Sequence, residues 1–463
     1  ALAGLIAVGI GEGLRRSLPP AQVLALGVLG SVIWVLGVLV GGLWLLGINS
    51  LEATLKAMEQ SMQQAMELYG RLGFSAEQLR QMRESTQATL ALMRRLGLRA
   101  YRFSISWPRV IPCGRGAPNP AGLDFYDRLV DALLAAEIQP FATLYHWDLP
   151  QALQDEGGWG SRATVEAFAE YAALLARRLG DRVRTWITIN EPQVVAFAGH
   201  KTGQHAPGLK DEKLALQVAH HLLVAHGLAA QAIRAVHSQA QIGIALNLWP
   251  VEPATDAPED RAEAERRWRQ DNAWFLEPLF YQRYPQEIWE AYGDKAPRIA
   301  PDDWAWIGAR LDFLGVNYYS RSLVTARGDI APVPGADYTA MGWEVHAPAL
   351  ERLLRRLKQE YPPIPIAVTE NGAAFDDTVG PDGRVHDPCR IAYLRDHLIA
   401  LHRAIQAGVD VRAYFVWSLL DNFEWTCGYS KRFGLVYVDY PTQRRIVKDS
   451  GEWYAQVIAR NGL

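Results

Sequence analysis

The stretch Thr185–Pro192, TWITINEP, decides the fold of most of this chain. Its first residues are mainly β-branched or aromatic, which favours a strand, and the proline ends the run. Asn190 and Glu191 follow the apolar residues directly, so the strand ends in polar side chains. The stretch 365–372, PIAVTENG, repeats this arrangement around Glu370. Two strands that each end in a carboxylate beside an amide indicate a site built from strand ends.

Short β-rich runs alternate with longer helical patterns from about residue 92 onward. The predicted strands are Ala100–Ser104, Pro140–Tyr145, Thr185–Asn190, Gln241–Asn247, Phe313–Tyr319, Ile366–Thr369 and Ala413–Trp417. This alternation predicts an α/β fold with a parallel sheet. Because nearly every strand ends in polar or aromatic residues, we expect a (β/α)8 TIM barrel rather than a doubly wound sheet. Seven strands are one short of eight, and the shortage lies at the N-terminal end.

Composition narrows the choice of function. The chain has 463 residues and a net charge of −3, which argues against a nucleic-acid partner. Its three cysteines fit neither a zinc site nor a disulfide framework, and we interpret them as unpaired thiols of a cytoplasmic-type protein. Many of its 16 Trp stand beside polar residues. Such pairs suit sugars, which have apolar faces and hydroxyl rims, although Trp is also an ordinary core residue.

Two glutamates at strand ends are the candidate catalytic groups. Glycoside hydrolysis needs two carboxylates that face each other across the scissile bond. A single glutamate at such a place is more often an ion-pair or capping residue. Glu191 and Glu370 each stand beside an Asn on strands that close one rim, and this favours the catalytic interpretation.

Seven further motifs carry a family resemblance. They are YRFSISWPR (101–109), HWDLP (146–150), TINEP (188–192), FLGVNYYS (313–320), VTENG (368–372), WSLLDNFEW (417–425) and GYSKRFGLVYVD (428–439). In this order they identify residues 92–463 as resembling glycoside hydrolase family 1, the β-glucosidase family. The resemblance implies a TIM barrel that hydrolyses terminal β-glucosides with retention. It implies no metal and no organic cofactor, and its substrate is a small carbohydrate such as a β-glucoside or a cello-oligosaccharide.

The resemblance also implies a role for each site residue. Glu370 is the expected nucleophile, Glu191 the general acid and then base, and Arg102 and Tyr319 are expected to orient Glu370. The expected sugar-binding residues are His146, Trp147, Asn190, Asn317, Tyr319, Trp417, Glu424 and Trp425. A carboxylate at Glu424 would repel a 6-phosphate, so an unphosphorylated glycoside is predicted. Preference among glucosides, galactosides and fucosides, the aglycone and the oligomeric state stay open.

The first ninety residues have a different pattern of apolar and charged residues. Val23–Ile48 contains no charged residue, and at ~1.5 Å per residue it exceeds a ~30 Å hydrocarbon core. We therefore predict a membrane span over about 21–48, with a buried core helix as the alternative. Residues 50–95 have the pattern of amphipathic helices. Residues 1–90 resemble a fragment of an uncharacterised multi-span bacterial membrane family, and the chain is predicted to be membrane-associated if 21–48 insert.

This chain departs from the family pattern at its N-terminal side. No residue in 1–90 matches the family's first strand, which carries a glutamine that grips the sugar. We interpret the chain as a join of two pieces, 1–90 and 92–463, near residues 88–95, and expect impaired activity. The alternatives are a membrane-anchored glucosidase in which another segment replaces the strand, a sugar-binding barrel without catalysis, and a membrane-protein fragment with a passenger barrel.

Overall fold

Seven parallel strands organise the residues that the computed structural model describes, which are 87–328 and 333–463. They are β1 (Ala100–Ser104), β2 (Gln139–Tyr145), β3 (Thr185–Asn190), β4 (Gln241–Asn247), β6 (Phe313–Asn317), β8 (Ile366–Asn371) and β9 (Val411–Val416). Neighbours pair in this order, and every pair is parallel. The seven predicted strands are thus confirmed, with ends that differ by at most two residues.

Two small sheets lie beside the main one. Strand β5 (Val251–Pro253) pairs in parallel with β7 (Ser322–Val324), and β10 (Val436–Asp439) pairs antiparallel with β11 (Arg444–Val447). The sequence patterns did not predict these four strands. Each is only three or four residues long, so no clear period-2 pattern can develop.

Helices connect the sheet strands. They are α1 (Trp107–Val110), α2 (Pro120–Ala135), α3 (Gln151–Asp155), α4 (Arg162–Leu179), α5 (Glu212–Val236), α6 (Pro258–Trp268), α7 (Trp274–Tyr281), α8 (Gln286–Tyr292), α9 (Asp303–Ile307), α10 (Pro348–Glu360), α11 (Pro388–Gln406) and α12 (Asp449–Arg460). Proline opens α2, α6, α10 and α11, where its missing N–H costs nothing. The Asp211 carboxylate caps α5 by accepting from the Leu214 N–H at 3.0 Å.

The main core lies between the sheet and its helices. Every residue of β3 and β8 is buried, as expected for central strands covered on both faces. Aromatic side chains fill the layer under α4, where Trp107 stacks on Tyr171 with ring centroids 5.1 Å apart. The Tyr171 hydroxyl donates to the Leu144 carbonyl at 3.0 Å, which ties that helix to the end of β2.

The sheet has two edges, β1 and β9. No described strand lies between them, so the described part of the chain forms a nearly closed barrel with seven strands. Most β9 residues are half-buried, and Ser104 at the end of β1 is exposed. The central strands β3, β6 and β8 are buried along their whole length. The prediction of a barrel without a recognised first strand therefore agrees with the described residues.

The predicted membrane span, about 21–48, lies outside the described residues. Of the amphipathic helices predicted over 50–95, the structure describes only the end, where residues 87–95 are helical. Within 87–328 and 333–463, none of the helices combines the length and apolar character needed to cross a bilayer. Leu90–Leu463 form one compact unit. The membrane span and membrane association stay predictions.

A buried ion-pair network fixes the loops that follow β8 and β9. The Lys448 ammonium lies 2.5 Å from an Asp377 oxygen and 2.8 Å from an Asp421 oxygen. Asp377 also accepts from Arg390 at 2.7 Å, and Asp421 accepts from Arg432 at 2.6 Å. Since each buried charge has a partner of opposite sign, the network is stable only as a complete set.

We expect Lys448→Met to lower the free energy of unfolding by about 3–5 kcal/mol, because two buried carboxylates lose the cation that they share. Urea unfolding followed by tryptophan fluorescence measures the change. Arg412→Met is the matched control, since Arg412 pairs with Asp410 on the surface. An equal, small effect of both substitutions would contradict the structural role of the network.

Candidate active site

Glu370 stands at the end of β8 with both carboxylate oxygens occupied. Arg102 Nη1 donates to Oε1 at 2.5 Å, and the Tyr319 hydroxyl donates to Oε2 at 2.6 Å. Arg102 comes from β1 and also donates to the Thr369 carbonyl at 3.1 Å. Both donors are the residues predicted to orient Glu370. One guanidinium and one hydroxyl donor therefore fix the orientation of this carboxyl group.

A chain of hydrogen bonds joins Glu370 to Glu191. Arg102 Nη2 donates to Asn190 Oδ1 at 2.6 Å. Asn317 Nδ2 donates to the same Asn190 oxygen at 3.1 Å and to Glu191 Oε1 at 2.7 Å. The two glutamates are buried, and they come from β8 and from the end of β3. The structure therefore brings together five residues that the sequence placed on four strands.

His146 lies beside this chain of bonds at the end of β2. Its Nε2 is 3.0 Å from Asn190 Nδ2, and its Nδ1 is 2.8 Å from the Ser104 hydroxyl. Burial lowers its pKa to about 4, with the charge of Arg102 contributing in the same direction and Glu370 opposing it. The imidazole is therefore neutral near pH 7, and one ring nitrogen accepts while the other donates.

Tryptophans and one further glutamate come from the segment after β9. Trp425 packs on Trp147 with ring centroids 4.6 Å apart, and Trp417 lies 5.8 Å from the His146 ring. Glu424 Oε2 is buried and has no hydrogen-bond partner among the described residues. An unpartnered buried carboxylate oxygen costs free energy unless a ligand donor reaches it. All predicted site residues thus lie at one end of the barrel.

Backbone conformation at this end is unusual. Trp147, Glu191 and Trp425 have φ values of 77°, 48° and 45°. Non-glycine residues rarely adopt this left-handed region, and such strain collects at functional sites. Position 372 requires glycine for a steric reason, because a Cβ there would lie 1.9 Å from the Trp417 carbonyl oxygen. The segment after β9 can approach Glu370 only because this position has no side chain.

The carboxyl groups have perturbed acidities. Burial and then the charge of Glu370 raise the pKa of Glu191, while the Asn317 hydrogen bond and Arg102 lower it less strongly. Burial, followed by the Glu370 charge, raises the pKa of Glu424 to about 7. Shifts of this kind are common where acid–base chemistry takes place. The raised pKa favours the protonated form of Glu191.

Several pocket residues were not predicted from the sequence. Trp343 and Phe433 pack around Tyr319, with ring centroids 5.1 Å and 6.2 Å from it, and Trp249 contacts Trp343 edge-on at 5.6 Å. Trp343 and Phe433 lie in loops, and Trp249 lies two residues after the end of β4, so none of the three is part of a predicted strand. The Lys431 ammonium ties one of these loops to the chain near Trp343 by donating to the Ala340 carbonyl at 2.6 Å.

Two further histidines, His220 and His226, bond to residues outside the predicted site. His220 bonds to Tyr284 at 2.9 Å and to Asp303 at 2.8 Å, and His226 bonds to Thr188 at 2.7 Å. Both side chains are buried. Over the described ranges, no three His, Cys, Asp or Glu side chains gather closely enough to hold a metal ion.

Two family models match the chain. The model described as Glycosyl hydrolase family 1 matches residues 81–463, and the model described as Predicted membrane protein (DUF2232) matches residues 1–97. The chain therefore belongs to glycosyl hydrolase family 1, and its N-terminal residues resemble a predicted membrane protein. The predicted join near residues 88–95 falls where the two matches overlap and stays a prediction.

Similar proteins are β-glucosidases. The chain is 49% identical to beta-glucosidase A of Thermotoga maritima over 382 residues, 81% of this chain and 85% of that protein. It is 46% identical over 402 residues to a bifunctional beta-D-glucosidase/beta-D-fucosidase of Bifidobacterium breve, 80% and 85% of the two chains. The solved β-glucosidase of Thermotoga maritima with glucoimidazole matches with a TM-score of 0.79 and 48% identity, over 81% of this chain and 86% of that one.

Proposed function

We propose that the chain is a retaining β-glucosidase that acts on terminal, unphosphorylated β-D-glucosides. The observation that carries this proposal is the pair of buried glutamates joined through Arg102, Asn190 and Asn317. The Glu370 carboxyl is oriented by two hydrogen-bond donors, and the Glu191 carboxyl has a raised pKa. This is the division of roles that double displacement requires.

The first step forms a glycosyl-enzyme. A Glu370 oxygen attacks the anomeric carbon while Glu191 gives its proton to the departing glycosidic oxygen. In the second step Glu191, now ionised, takes a proton from water, and the resulting nucleophile displaces Glu370 from the same carbon. Two inversions retain the anomeric configuration. Arg102 and Tyr319 keep Glu370 from rotating away, so positioning lowers the barrier of both steps.

The remaining predicted residues are assigned to the sugar. We assign Asn190 and His146 to ring hydroxyls of the sugar, and we assign the unpartnered Glu424 oxygen as the acceptor for another hydroxyl. Trp417 and Trp425 offer flat apolar walls for the C–H faces of the sugar. The names of the relatives support glucosides, and one relative is also a fucosidase, so the 6-hydroxyl is not required there.

We expect the chain to hydrolyse 4-nitrophenyl β-D-glucoside and not its 6-phosphate. A phosphate would meet the Glu424 carboxylate, whose pKa of about 7 leaves it substantially charged above neutrality. Release of 4-nitrophenol at pH 7.5 gives the ratio of the two hydrolysis rates. NMR identifies the glucose anomer that forms first and so gives the stereochemistry of the reaction. Preference for the 6-phosphate would contradict the substrate class, and an α-glucose first product would contradict retention.

We expect Glu191→Gln to slow hydrolysis according to the leaving group. Because the amide cannot protonate the departing oxygen, kcat for a poor leaving group such as an alkyl alcohol falls by about 10²–10⁴-fold. A dinitrophenolate leaves without a proton and is affected far less. In the unchanged chain, activity falls as pH rises through the raised pKa of Glu191, because the acid loses its proton.

With the dinitrophenyl substrate, the activity of Glu191→Gln should no longer decrease as the pH rises. A glycosylation rate reduced equally for all leaving groups would assign Glu191 a structural role instead. The control is Gln139→Glu, because Gln139 is exposed.

The open edge between β1 and β9 is expected to reduce activity. Arg102 lies on β1 and pairs with Glu370, so movement of this edge strand would displace the group that orients Glu370. A site that is misplaced by 1 Å can lose a large factor in rate. A sugar-binding barrel without turnover is the second candidate, and binding of the neutral product without hydrolysis would favour it.

A further inference from the structure

The sheet ladder is irregular at the point where β8 carries Glu370. On the β6 side, Val316 lies opposite Val368 but Asn317 lies opposite Glu370, so β8 contains one extra residue there. The pairing of β8 with β9 is irregular over the same stretch. Bulges of this kind lie often beside active sites, where they re-aim a side chain. Because the ladder is interrupted here, contacts other than backbone pairing help to fix the segment that carries Glu370.

The side chain of Asn371 bridges this interruption. Its Nδ2 donates to the Tyr318 carbonyl at 2.8 Å and to the Tyr393 hydroxyl at 3.0 Å. Its Oδ1 accepts from the Tyr414 hydroxyl at 2.6 Å. Asn371 is fully buried, and both of its polar side-chain atoms have partners. One amide therefore joins β8 to the segment after β6, to β9 and to helix α11.

The Tyr393 hydroxyl continues this connection to Tyr319. It accepts from Asn371 Nδ2 and donates to the Tyr319 carbonyl at 3.1 Å. Tyr393 lies on α11, is buried, and stacks on His397 with ring centroids 3.8 Å apart. Burial raises the pKa of Tyr393, so its hydroxyl keeps the proton that it donates. Tyr319 in turn donates its own hydroxyl to Glu370 Oε2 at 2.6 Å, so the hydrogen bonds run from the helix layer to the predicted nucleophile.

We propose that Tyr393 is a positioning residue for the nucleophile: its hydroxyl sets the place of Tyr319 and, through Tyr319, the direction of the Glu370 carboxyl. This inference rests on the proposed function, in which a Glu370 oxygen attacks the anomeric carbon. Tyr393 acts through its neighbours and not on the sugar, since its hydroxyl bonds to Asn371 and Tyr319. A reacting group that is misplaced by 1 Å can lose a factor of about 10² in rate.

A purely structural role for Tyr393 is the competing interpretation. Its ring packs in the core, and its hydroxyl satisfies two buried polar groups, so its loss lowers stability in either case. The two roles differ in what else changes. A structural role reduces the amount of folded enzyme and leaves the turnover of each folded molecule unchanged. A positioning role lowers the kcat of the folded enzyme and depends on the presence of the Tyr319 hydroxyl.

Tyr393→Phe removes the hydroxyl and keeps the ring. With 4-nitrophenyl β-D-glucoside, kcat of the full chain should fall by about 10–100-fold. KM should stay nearly unchanged, because the lost contact supports a bond that forms only in the transition state. Tyr284→Phe is the matched control, since Tyr284 is also buried and its hydroxyl bonds to His220 at 2.9 Å, outside the predicted site. It should lower the unfolding midpoint in urea to a similar extent and keep the kcat of the unchanged chain.

A double-mutant cycle tests whether Tyr393 acts through Tyr319. Tyr319→Phe removes the hydroxyl that bonds to Glu370 and leaves the carbonyl that accepts from Tyr393. In that background, Tyr393→Phe should lower kcat further by no more than about twofold, because the group that it positions is already gone. An equal loss of kcat from Tyr393→Phe in both backgrounds would mean a general loosening of the barrel and would overturn the proposal.

Crystal structures of the unchanged chain and of Tyr393→Phe test the positioning without turnover. We expect the distance between the Tyr319 hydroxyl and Glu370 Oε2 to lengthen from 2.6 Å to more than about 3.0 Å, the limit for such a bond. An unchanged distance would overturn the proposal, as would a kcat equal to that of Tyr284→Phe. If the unchanged chain releases no product, the proposed function fails, and the distance still decides whether Tyr393 positions Tyr319.

Discussion

Glu370→Gln is expected to lower kcat for aryl β-glucosides by about 10⁴-fold or more. The amide keeps the shape of the side chain but cannot form the glycosyl ester, and it gives up its charge beside Arg102 at 2.5 Å. Release of 4-nitrophenol under saturating substrate measures the effect. The substitution has a large expected effect because, in the proposed mechanism, every turnover passes through a bond between a Glu370 oxygen and the anomeric carbon.

Glu166→Gln is the matched control for this substitution, since Glu166 lies exposed on α4. It should retain the activity of the unchanged chain. If Glu370→Gln kept more than about one hundredth of that activity, Glu370 would not be the nucleophile. If the unchanged chain turns over too slowly to measure, the same pair of substitutions is compared in the grafted chain described next.

Replacing residues 1–86 by the N-terminal segment of the Thermotoga maritima relative, up to the matched region, should raise kcat/KM by about 10²–10³-fold. A strand in the gap would pair both free edges, fix Arg102 from its open side and close the pocket against water. It would also add contacts to sugar hydroxyls, which are worth several kcal/mol when they strengthen in the transition state. Each 1.4 kcal/mol corresponds to a factor of ten.

The grafted chain needs two comparisons. Grafted Glu370→Gln must be inactive, which shows that the gain comes from this site. A graft of the same length with a proline in the middle of the new strand should give no gain, because it cannot donate to the edges. Equal activity of the unchanged and grafted chains would mean that the barrel works without that strand, and the expected impairment would be wrong.

Much of the fold could be predicted because the chemistry of the strands is local. Each sheet strand is a short apolar run, and each ends in the residues that form the rim, such as Asn190 and Glu191 on β3. The motifs of the family resemblance predicted Arg102 and Tyr319 as partners of Glu370, and the structure places both within hydrogen-bond distance. Residues from elements without such a pattern, such as Trp343 and Phe433, were missed.

The seven strands, their polar ends and the two candidate carboxylates could be predicted from the sequence, because they depend on residue types within a few positions of one another. The hydrogen-bond partners, the unpartnered oxygen of Glu424 and the edge strands among the described residues are visible only in the folded chain. These properties depend on distances between residues far apart in the chain. Arg102 and Glu370 meet only because parallel strands curve their ends toward one axis.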